Sequence, residues 1–184
     1  APRSSCLAGS MQVKAQRLDN QQGQVIADDG ARLEFTGQLN NTAGQVSTGG
    51  DLGVRGDDVV NTQGTLVSGG NLQLDARYLS GDGKVLSQGN ATLNLVEGFT
   101  NTDEVAANGK LSLTTQGALD NQGKLQGGSL EIHANRINNA SNGEISSAGL
   151  THLVADGAIV NRGLLDGVIN HIQASELDNV GSGR

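Results

Sequence analysis

The sequence predicts an all-β protein, a parallel β-helix of about eight to nine coils with roughly 20 residues per coil. Three observations support this prediction. Apolar residues recur about every 20 residues, glycines recur with the same period, and short segments alternate between apolar and polar residues. Three patterns with one common period do not arise by chance, and they are typical of a solenoid.

Two apolar series and one glycine series define the repeat. The first apolar series is Val25, Val46, Leu66, Val85, Val105, Leu125, Ile145 and Leu165. The second is Leu18, Leu39, Val59, Leu79, Phe99, Leu119, Ile137, Ile159 and Leu177. The glycine series between them is Gly30, Gly50, Gly70, Gly89, Gly109, Gly128, Gly149 and Gly167. If each repeat is one coil, each series becomes a stack of side chains about 4.8 Å apart.

Segments in which apolar and polar residues alternate indicate strands with one buried and one solvent-exposed face. Leu72-Gln73-Leu74 and Leu130-Glu131-Ile132 are clear examples. No segment shows sustained helical spacing, and the Leu-x-x-Leu-x-Leu pattern of a leucine-rich repeat is missing. Each coil is therefore expected to contain two or three short strands.

The composition is unusual for a compact globular domain. The 184 residues include 28 glycines, one proline, two phenylalanines, one tyrosine and no tryptophan, and 35% are apolar. Disorder is an alternative for a chain that can bury so little apolar surface. The periodicity favours a fold instead, with a narrow core built from Val, Leu, Ile and Ala.

Asparagines recur at the end of each repeat and predict a stacked ladder at one corner. The predicted ladder is Asn41, Asn61, Asn101, Asn121, Asn139 and Asn161, in a series that also includes Asn20 and Asn179. Asn tolerates a left-handed backbone, and stacked amides can bond along the axis. Glycines that follow are expected to relieve the same corner. The units Ser80–Gly83 and Asn101–Glu104 depart from the pattern, so bulges are expected there.

The whole chain, 1–184, is interpreted as a single β-helical segment. Residues 1–17 are expected to form a first incomplete coil and residues 18–179 the regular repeats, in a rod about 40 Å long. Neither end shows an amphipathic capping helix, so we interpret the segment as part of a longer filament. The N-terminus, with Pro2, has no apolar signal-peptide core.

Charge and composition argue against several partners. The formal net charge is −7 and no basic cluster is present, which argues against nucleic acid and anionic membranes. No apolar run approaches the length of a membrane span. Cys6 is the one cysteine, so an intrachain disulfide is impossible. No cofactor is expected.

The repeat unit Asn-x-x-Gly-x-Val/Leu-x-Ser-x-Gly-x-Leu-x-Leu-x-Ala resembles the repeats of filamentous haemagglutinin-like proteins. Its best copy is Asn61–Ala76, and the resemblance extends from about Leu18 to Asn179. The family's secretion-domain motif Asn-Pro-Asn and a Val-Glu-Asn-Asn junction before a toxin are both missing. The resemblance therefore points to a central repeat region.

The resemblance also implies a fold, a location and partners. It implies a right-handed β-helical filament on the surface of a Gram-negative bacterium, or secreted from it. Such exoproteins of two-partner secretion pass through a dedicated outer-membrane transporter. They include adhesins and contact-dependent inhibition effectors, so a host or bacterial cell-surface receptor is a further expected partner.

Arg55-Gly56-Asp57 is an integrin-recognition tripeptide and a candidate receptor-binding site. Alignment with the next repeat places Gly56 opposite Ala76, with Arg55 and Asp57 facing outward near a corner. A Gly- and Asp-rich chain also contains such a triplet by chance, and integrins favour a protruding loop. The motif is therefore weighed against a purely structural role.

Other chemistry is expected to be missing. His152 and His171 should share a column with Glu131, but a flat ladder does not converge on a metal ion. Carboxylates are scattered over many coils, so no acid–base pair or calcium site is expected and the segment is not predicted to be an enzyme. Phe35 and Phe99 follow the inward pattern and only Tyr78 is expected outside, which disfavours a sugar-binding platform.

The leading hypothesis is a structural shaft that projects an adhesive or toxic region from the cell. The alternative is that the segment is itself an adhesive module with Arg55, Gly56 and Asp57 as contacts. A role in delivering a toxin is the third possibility.

Overall fold

The computed structural model describes residues 5–181, and every structural statement below refers to them; Pro2 and the rest of residues 1–4 lie outside this range. These residues form 23 β-strands and no helix. The strands are β1 Ser5–Ala8, β2 Met11–Ala15, β3 Leu18–Asp19, β4 Gln24–Ala27, β5 Ala31–Phe35, β6 Gln38–Asn40, β7 Gln45–Thr48, β8 Leu52–Val60, β9 Thr65–Ser68, β10 Leu72–Ser80, β11 Lys84–Ser87, β12 Ala91–Leu95, β13 Phe99–Asn101, β14 Glu104–Thr115, β15 Ala118–Asn121, β16 Lys124–Ala134, β17 Arg136–Asn139, β18 Glu144–Ser147, β19 Leu150–Ala155, β20 Ala158–Asn161, β21 Leu164–Asp166, β22 Ile169–Gln173 and β23 Glu176–Asn179. Nothing helical in this range could cross a membrane.

The strands wind into about nine coils, each with three sides. In the second coil, β4 forms the first side, β5 the second and β6 the third. Four longer strands continue through a corner: β8 and β10 cover the second and third sides, and β14 and β16 cover the first and second. Every pairing between coils is parallel, so each side is a ladder that runs along the solenoid axis.

The register places each repeat directly on the next. Val46 pairs with Val25 in the preceding coil and with Leu66 in the following coil, and Leu66 pairs in turn with Val85. All four side chains are buried. The prediction of an all-β parallel solenoid with about 20 residues per coil is thus confirmed.

The core is narrow and almost entirely aliphatic. Inward side chains such as Leu33, Leu74 and Leu113 are fully buried. Burying a side chain of this kind stabilises a fold by roughly 1.5–3 kcal/mol. Phe35 and Phe99 also lie inside, and Tyr78 lies outside, as the alternation predicts. Stacking in register thus supplies the burial that aromatic residues provide in compact domains.

At the corner that contains the ladder Asn, the residue with a left-handed backbone is not the one that was expected. In the three earliest corners the residue two positions after the ladder Asn has positive φ: Gln22 at 56°, Ala43 at 51° and Gln63 at 52°. The ladder Asn itself does not. The turn is closed by a backbone hydrogen bond, for example from Gly44 N–H to Asn41 C=O at 3.0 Å. A left-handed third residue with this bond is characteristic of a type II turn.

Glycine follows the left-handed residue because there is no room for a side chain. A Cβ on Gly64 would lie 2.1 Å from the Asn41 carbonyl oxygen and 2.5 Å from Asn61 Oδ1. The glycine of this corner therefore permits a close approach between coils, and its φ is ordinary.

The two corners expected to bulge do not. Three residues, 81–83, separate β10 from β11, whereas four, 41–44, separate β6 from β7. The register shift lies elsewhere, between Ala107 and Lys110 where β14 pairs with β16. The expectation for Ser80–Gly83 and Asn101–Glu104 was wrong because a missing residue shortens a corner, whereas an extra one makes a bulge.

The third side is interrupted once. It is continuous from β3 through β6 and β8 to β10, and again from β13 to β23 in a separate five-stranded sheet. Across residues 5–181, no strand pairing joins β10 to β13. The first and second sides continue through this level, so the fourth and fifth coils are joined on two sides rather than three.

Candidate functional site

The stacked asparagines form a hydrogen-bonded ladder in two runs, and every member except the terminal Asn179 is buried. In the first run, Nδ2 of Asn20 donates to Oδ1 of Asn41, and Nδ2 of Asn41 donates to Oδ1 of Asn61, each at 2.8 Å. The second run contains Asn101, Asn121, Asn139, Asn161 and Asn179, joined at 2.8–2.9 Å. The register that pairs Val60 with Ser80 puts Gly81, with φ 99°, at the vacant ladder position between the runs.

Six of the ladder amides, from Asn20 to Asn139, also bind the backbone of the next coil. Nδ2 of Asn121 donates to the Glu144 carbonyl at 3.0 Å, and Nδ2 of Asn61 donates to the Lys84 carbonyl at 3.0 Å. Among residues 5–181, no buried side-chain polar atom is left without a partner. Because both amide hydrogens are used, the ladder closes the corner and links successive coils at once.

Arg55-Gly56-Asp57 lies in β8, where the strand turns from the second side to the third. Gly56 pairs with Ala76 in the next coil, and both Arg55 and Asp57 are exposed. The backbone is fixed here, because the Asp57 N–H donates to the Gly37 carbonyl at 3.1 Å. The tripeptide is therefore presented on a rigid strand corner and not on a protruding loop.

Arg55 belongs to an outward column of alternating charge that the sequence analysis missed. Its charged members are Lys14, Glu34, Arg55 and Asp75, and the neutral Asn94 follows them in the next coil. Lys14 Nζ lies 3.1 Å from Glu34 Oε2, and Arg55 Nη2 lies 3.8 Å from Asp75 Oδ2. Side-chain hydrogen bonds from Arg32 and then Lys14 hold the pKa of Glu34 below its ordinary value. Opposite charges spaced about 20 positions apart in the sequence could have predicted this column.

The histidines occupy outward positions, and two of them share one column, as the register predicts. His152 pairs with Glu131 and with His171, and the two imidazole centroids are 6.3 Å apart with the rings nearly perpendicular. His133 Nε2 lies 3.5 Å from Asp156 Oδ1. Within the described range, no group of three or more His, Cys, Asp or Glu side chains could hold a metal ion.

Another ion pair crosses between coils near these histidines. Lys110 Nζ contacts Glu131 Oε2, and this hydrogen bond is the main reason that the pKa of Glu131 is lowered. Earlier in the rod, Arg77 Nε lies 3.4 Å from Glu97 Oε1. These side chains are exposed or half-exposed, so such pairs contribute little individually and mainly favour the correct register.

Fold and surface together define a structural class, a parallel β-solenoid repeat protein in which the repeated side chains stack from coil to coil. The chain belongs to the haemagglutinin repeat family, which it matches over residues 7–43, 27–81, 67–123 and 125–182. The resemblance inferred from the repeat unit is thereby confirmed. Membership also agrees with the predicted secreted, cell-surface location.

The chain is similar to parts of several very large proteins. It is 43% identical over 74 residues to the tRNA nuclease CdiA of Escherichia coli strain NC101, which covers 40% of this chain and 2% of that protein. It is 44% identical over 71 residues, 39% of this chain, to the tRNA nuclease CdiA of Escherichia coli O6:K15:H31 strain 536, again 2% of the relative. It is 35% identical over 120 residues to the deoxyribonuclease CdiA of Dickeya dadantii strain 3937, or 64% of this chain and 4% of that protein.

The chain therefore spans only 2–4% of the length of these relatives. The nuclease activities in their names belong to those whole proteins. No solved structure matches the chain significantly.

Proposed function

We propose that this chain is a structural shaft segment of a secreted, cell-surface filamentous exoprotein. In this proposal residues 1–184 are one stretch of a longer filament that projects an adhesive or toxic region from a Gram-negative bacterium. The observation that carries the proposal is the in-register stacking of about nine coils. At about 4.8 Å per coil, this stacking converts chain length into a rod roughly 43 Å long.

The stacking explains how a rod can be both long and stiff. Coils are joined by backbone ladders on their sides and by asparagine amides at one corner. Bending would have to stretch several hydrogen bonds at once. The similarity to small parts of very large proteins also suits a spacer, since spacers gain reach by repetition.

A whole-coil deletion tests the shaft. Removing residues 65–83 joins Gly64 to Lys84, and Lys84 pairs with Thr65, so the register is preserved. The maximum dimension from small-angle X-ray scattering should fall by about 4.8 Å while the β-type circular dichroism per residue is unchanged. Removing only 65–74 is the control and should lower the β signal per residue, because the truncated coil cannot align with both of its neighbours. A compact spherical profile for the intact chain would rule out the shaft.

Export and attachment complete the proposal. The expected partners are a dedicated outer-membrane transporter during secretion and a host or bacterial surface receptor afterwards. Delivery of a toxin remains one form of the same projecting role, because the relatives' names describe nucleases.

The second candidate function is an adhesive module that uses Arg55, Gly56 and Asp57. Its support is the exposure of Arg55 and Asp57 on one strand corner. Asp57→Glu keeps the charge but lengthens the side chain, and it should abolish integrin-dependent cell attachment. Asp58→Glu, at the neighbouring position, is the matched control and should attach normally. Equal attachment by both variants and the parent chain would remove this candidate.

A further inference from the structure

One outward position on the second side lacks a side chain although the backbone has room for one. The column runs Arg32, Gly53, Gln73 and Thr92, and only Gly53 leaves a gap in this stretch. A Cβ on Gly53 would be 3.9 Å from the Ala31 carbonyl oxygen and 4.0 Å from Arg32 Cγ, which is ordinary contact. Gly weakens a strand interior and often marks a place where a ligand approaches the backbone.

The gap is the floor of a notch of about 240 Å³. Its side-chain walls are contributed by Arg32, Glu34, Arg55, Gln73 and Asp75, and the backbone of β5 and β8 forms the base. The volume is below the usual range for drug-sized ligands, roughly 300–1,000 Å³, and suits a single ring.

Hydrogen bonding around the notch is asymmetric. Glu34 is occupied by Arg32 Nε at 2.6 Å and by Lys14, and Asp75 accepts from Gln73 at 2.9 Å and from Asn94 at 2.7 Å.

The guanidinium groups, by contrast, retain donors. Arg55 makes one ion pair within residues 5–181, with Asp75 at 3.8 Å, which is too long for a hydrogen bond. Arg32 binds Glu34 through Nε, so its terminal nitrogens are not used in this ion pair. A notch with occupied acceptors and available guanidinium donors favours an anion, and a planar carboxylate matches the fork of Arg.

We propose that this notch binds a carboxylate-bearing sugar ring of hexuronate size. The carboxylate is held by Arg55 with the terminal nitrogens of Arg32, over the bare backbone at Gly53. A ring hydroxyl bonds to the side-chain amide of Gln73. Recognition is ionic rather than by aromatic stacking, which accounts for a sugar site without an aromatic platform. This binding goes beyond the shaft role and does not depend on it.

Isothermal titration with glucuronate tests the proposal, with glucose and acetate as comparison ligands. Glucuronate should bind at least tenfold more tightly than either, because glucose lacks the carboxylate and acetate lacks the ring. Gly53→Gln copies the residue one coil later, fills the notch and should abolish binding without loss of thermal stability. Arg55→Gln should weaken glucuronate binding at least tenfold, and Arg136→Gln, an exposed arginine on the third side, should not.

Three outcomes would overturn the proposal. Equal binding of glucose would show that the carboxylate is not recognised, and equal binding of acetate would show that the ring is not. Unchanged glucuronate binding by a folded Gly53→Gln variant would place any binding outside the notch.

Discussion

The side-chain amide of Asn41 donates to Oδ1 of Asn61, one coil further along the axis, at 2.8 Å. Both residues are essentially inaccessible to solvent. The same relationship repeats between Asn101 and Asn121 and onward, but it skips the level of Gly81. Buried amide bonds are costly to lose, because the remaining partner keeps its desolvation penalty. The ladder therefore supports several measurable expectations.

Truncating one ladder residue should destabilise the rod. Asn121 accepts from Asn101 and donates to Asn139 and to the Glu144 carbonyl. Asn121→Ala should lower the free energy of unfolding in urea by about 1–3 kcal/mol, because it leaves buried polar groups without hydrogen-bond partners. Asn108→Ala, at an exposed position, is the control and should stay within about 0.5 kcal/mol of the parent. Equal stability of the two variants would contradict the role of the ladder.

Two glycines should respond in opposite directions to alanine. Gly64→Ala would force a Cβ to within 2.1 Å of the Asn41 carbonyl oxygen, so the coils must separate there. We expect a loss of about 2 kcal/mol or more in urea unfolding. Gly53→Ala meets nothing closer than 3.9 Å and should raise stability by about 0.5–1 kcal/mol. A tolerated Gly64→Ala would show that the corner is loosely packed.

The core columns should be sensitive to cavities. Leu93 is fully buried between Leu74 and Leu113. Leu93→Ala should cost about 2–5 kcal/mol in the free energy of unfolding, because the stacked neighbours relax only partly. Thr92→Ala, which faces outward on the same strand, provides the comparison and should cost much less. Similar losses of unfolding free energy in the two variants would contradict the assignment of Leu93 to the buried face of β12 and Thr92 to the outward face.

The interruption of the third side should be visible by hydrogen exchange. Residues 78–80 in β10 face residues 99–101 in β13 without strand pairing. Amides that lack a partner open more easily, so those at this boundary should exchange at least about tenfold faster than amides of residues 58–60 in β8. Uniform protection along the third side would contradict the observed break.

Restoring an asparagine at the vacant ladder position should not repair the rod. Gly81 has φ 99°, and a Cβ there would lie 2.4 Å from the Thr62 backbone nitrogen. Gly81→Asn should therefore lower the melting temperature, despite supplying the missing amide. A higher melting temperature would show that this corner can rearrange to accept the ladder.

Acid should weaken one inter-coil ion pair in a defined window. The pKa of Glu34 is lowered from its ordinary value of 4.5, first by Arg32 and then by Lys14. Its contribution to stability is present above the ordinary pKa and is lost as pH falls through the lower, folded-state pKa. An NMR titration should show the Glu34 carboxyl pKa below 4.5, with Arg32→Gln raising it more than Lys14→Gln. A Glu34 pKa that neither substitution changes would contradict the pairing.

The period, the inward columns and the ladder asparagines could be read from the chain, because each is a one-dimensional pattern. A core position repeats as Val46, Leu66 and Val85, and the side-chain alternation separates Phe35 inside from Tyr78 outside. These features need no knowledge of the corner geometry. The candidate tripeptide at Arg55 was also visible, together with its register against the next coil.

The details of the corners and of the surface required the fold. Sequence preference suggested a left-handed Asn, but the turn places Ala43 and Gln63 in that conformation, and the Asn two positions earlier supplies its side chain to the ladder. The notch around Gly53 arises from β5, β8 and β10 together, and its walls come from residues about 20 positions apart. Such neighbours become identifiable only when the register is known to the residue, since a shift of one position exchanges the inner and outer faces.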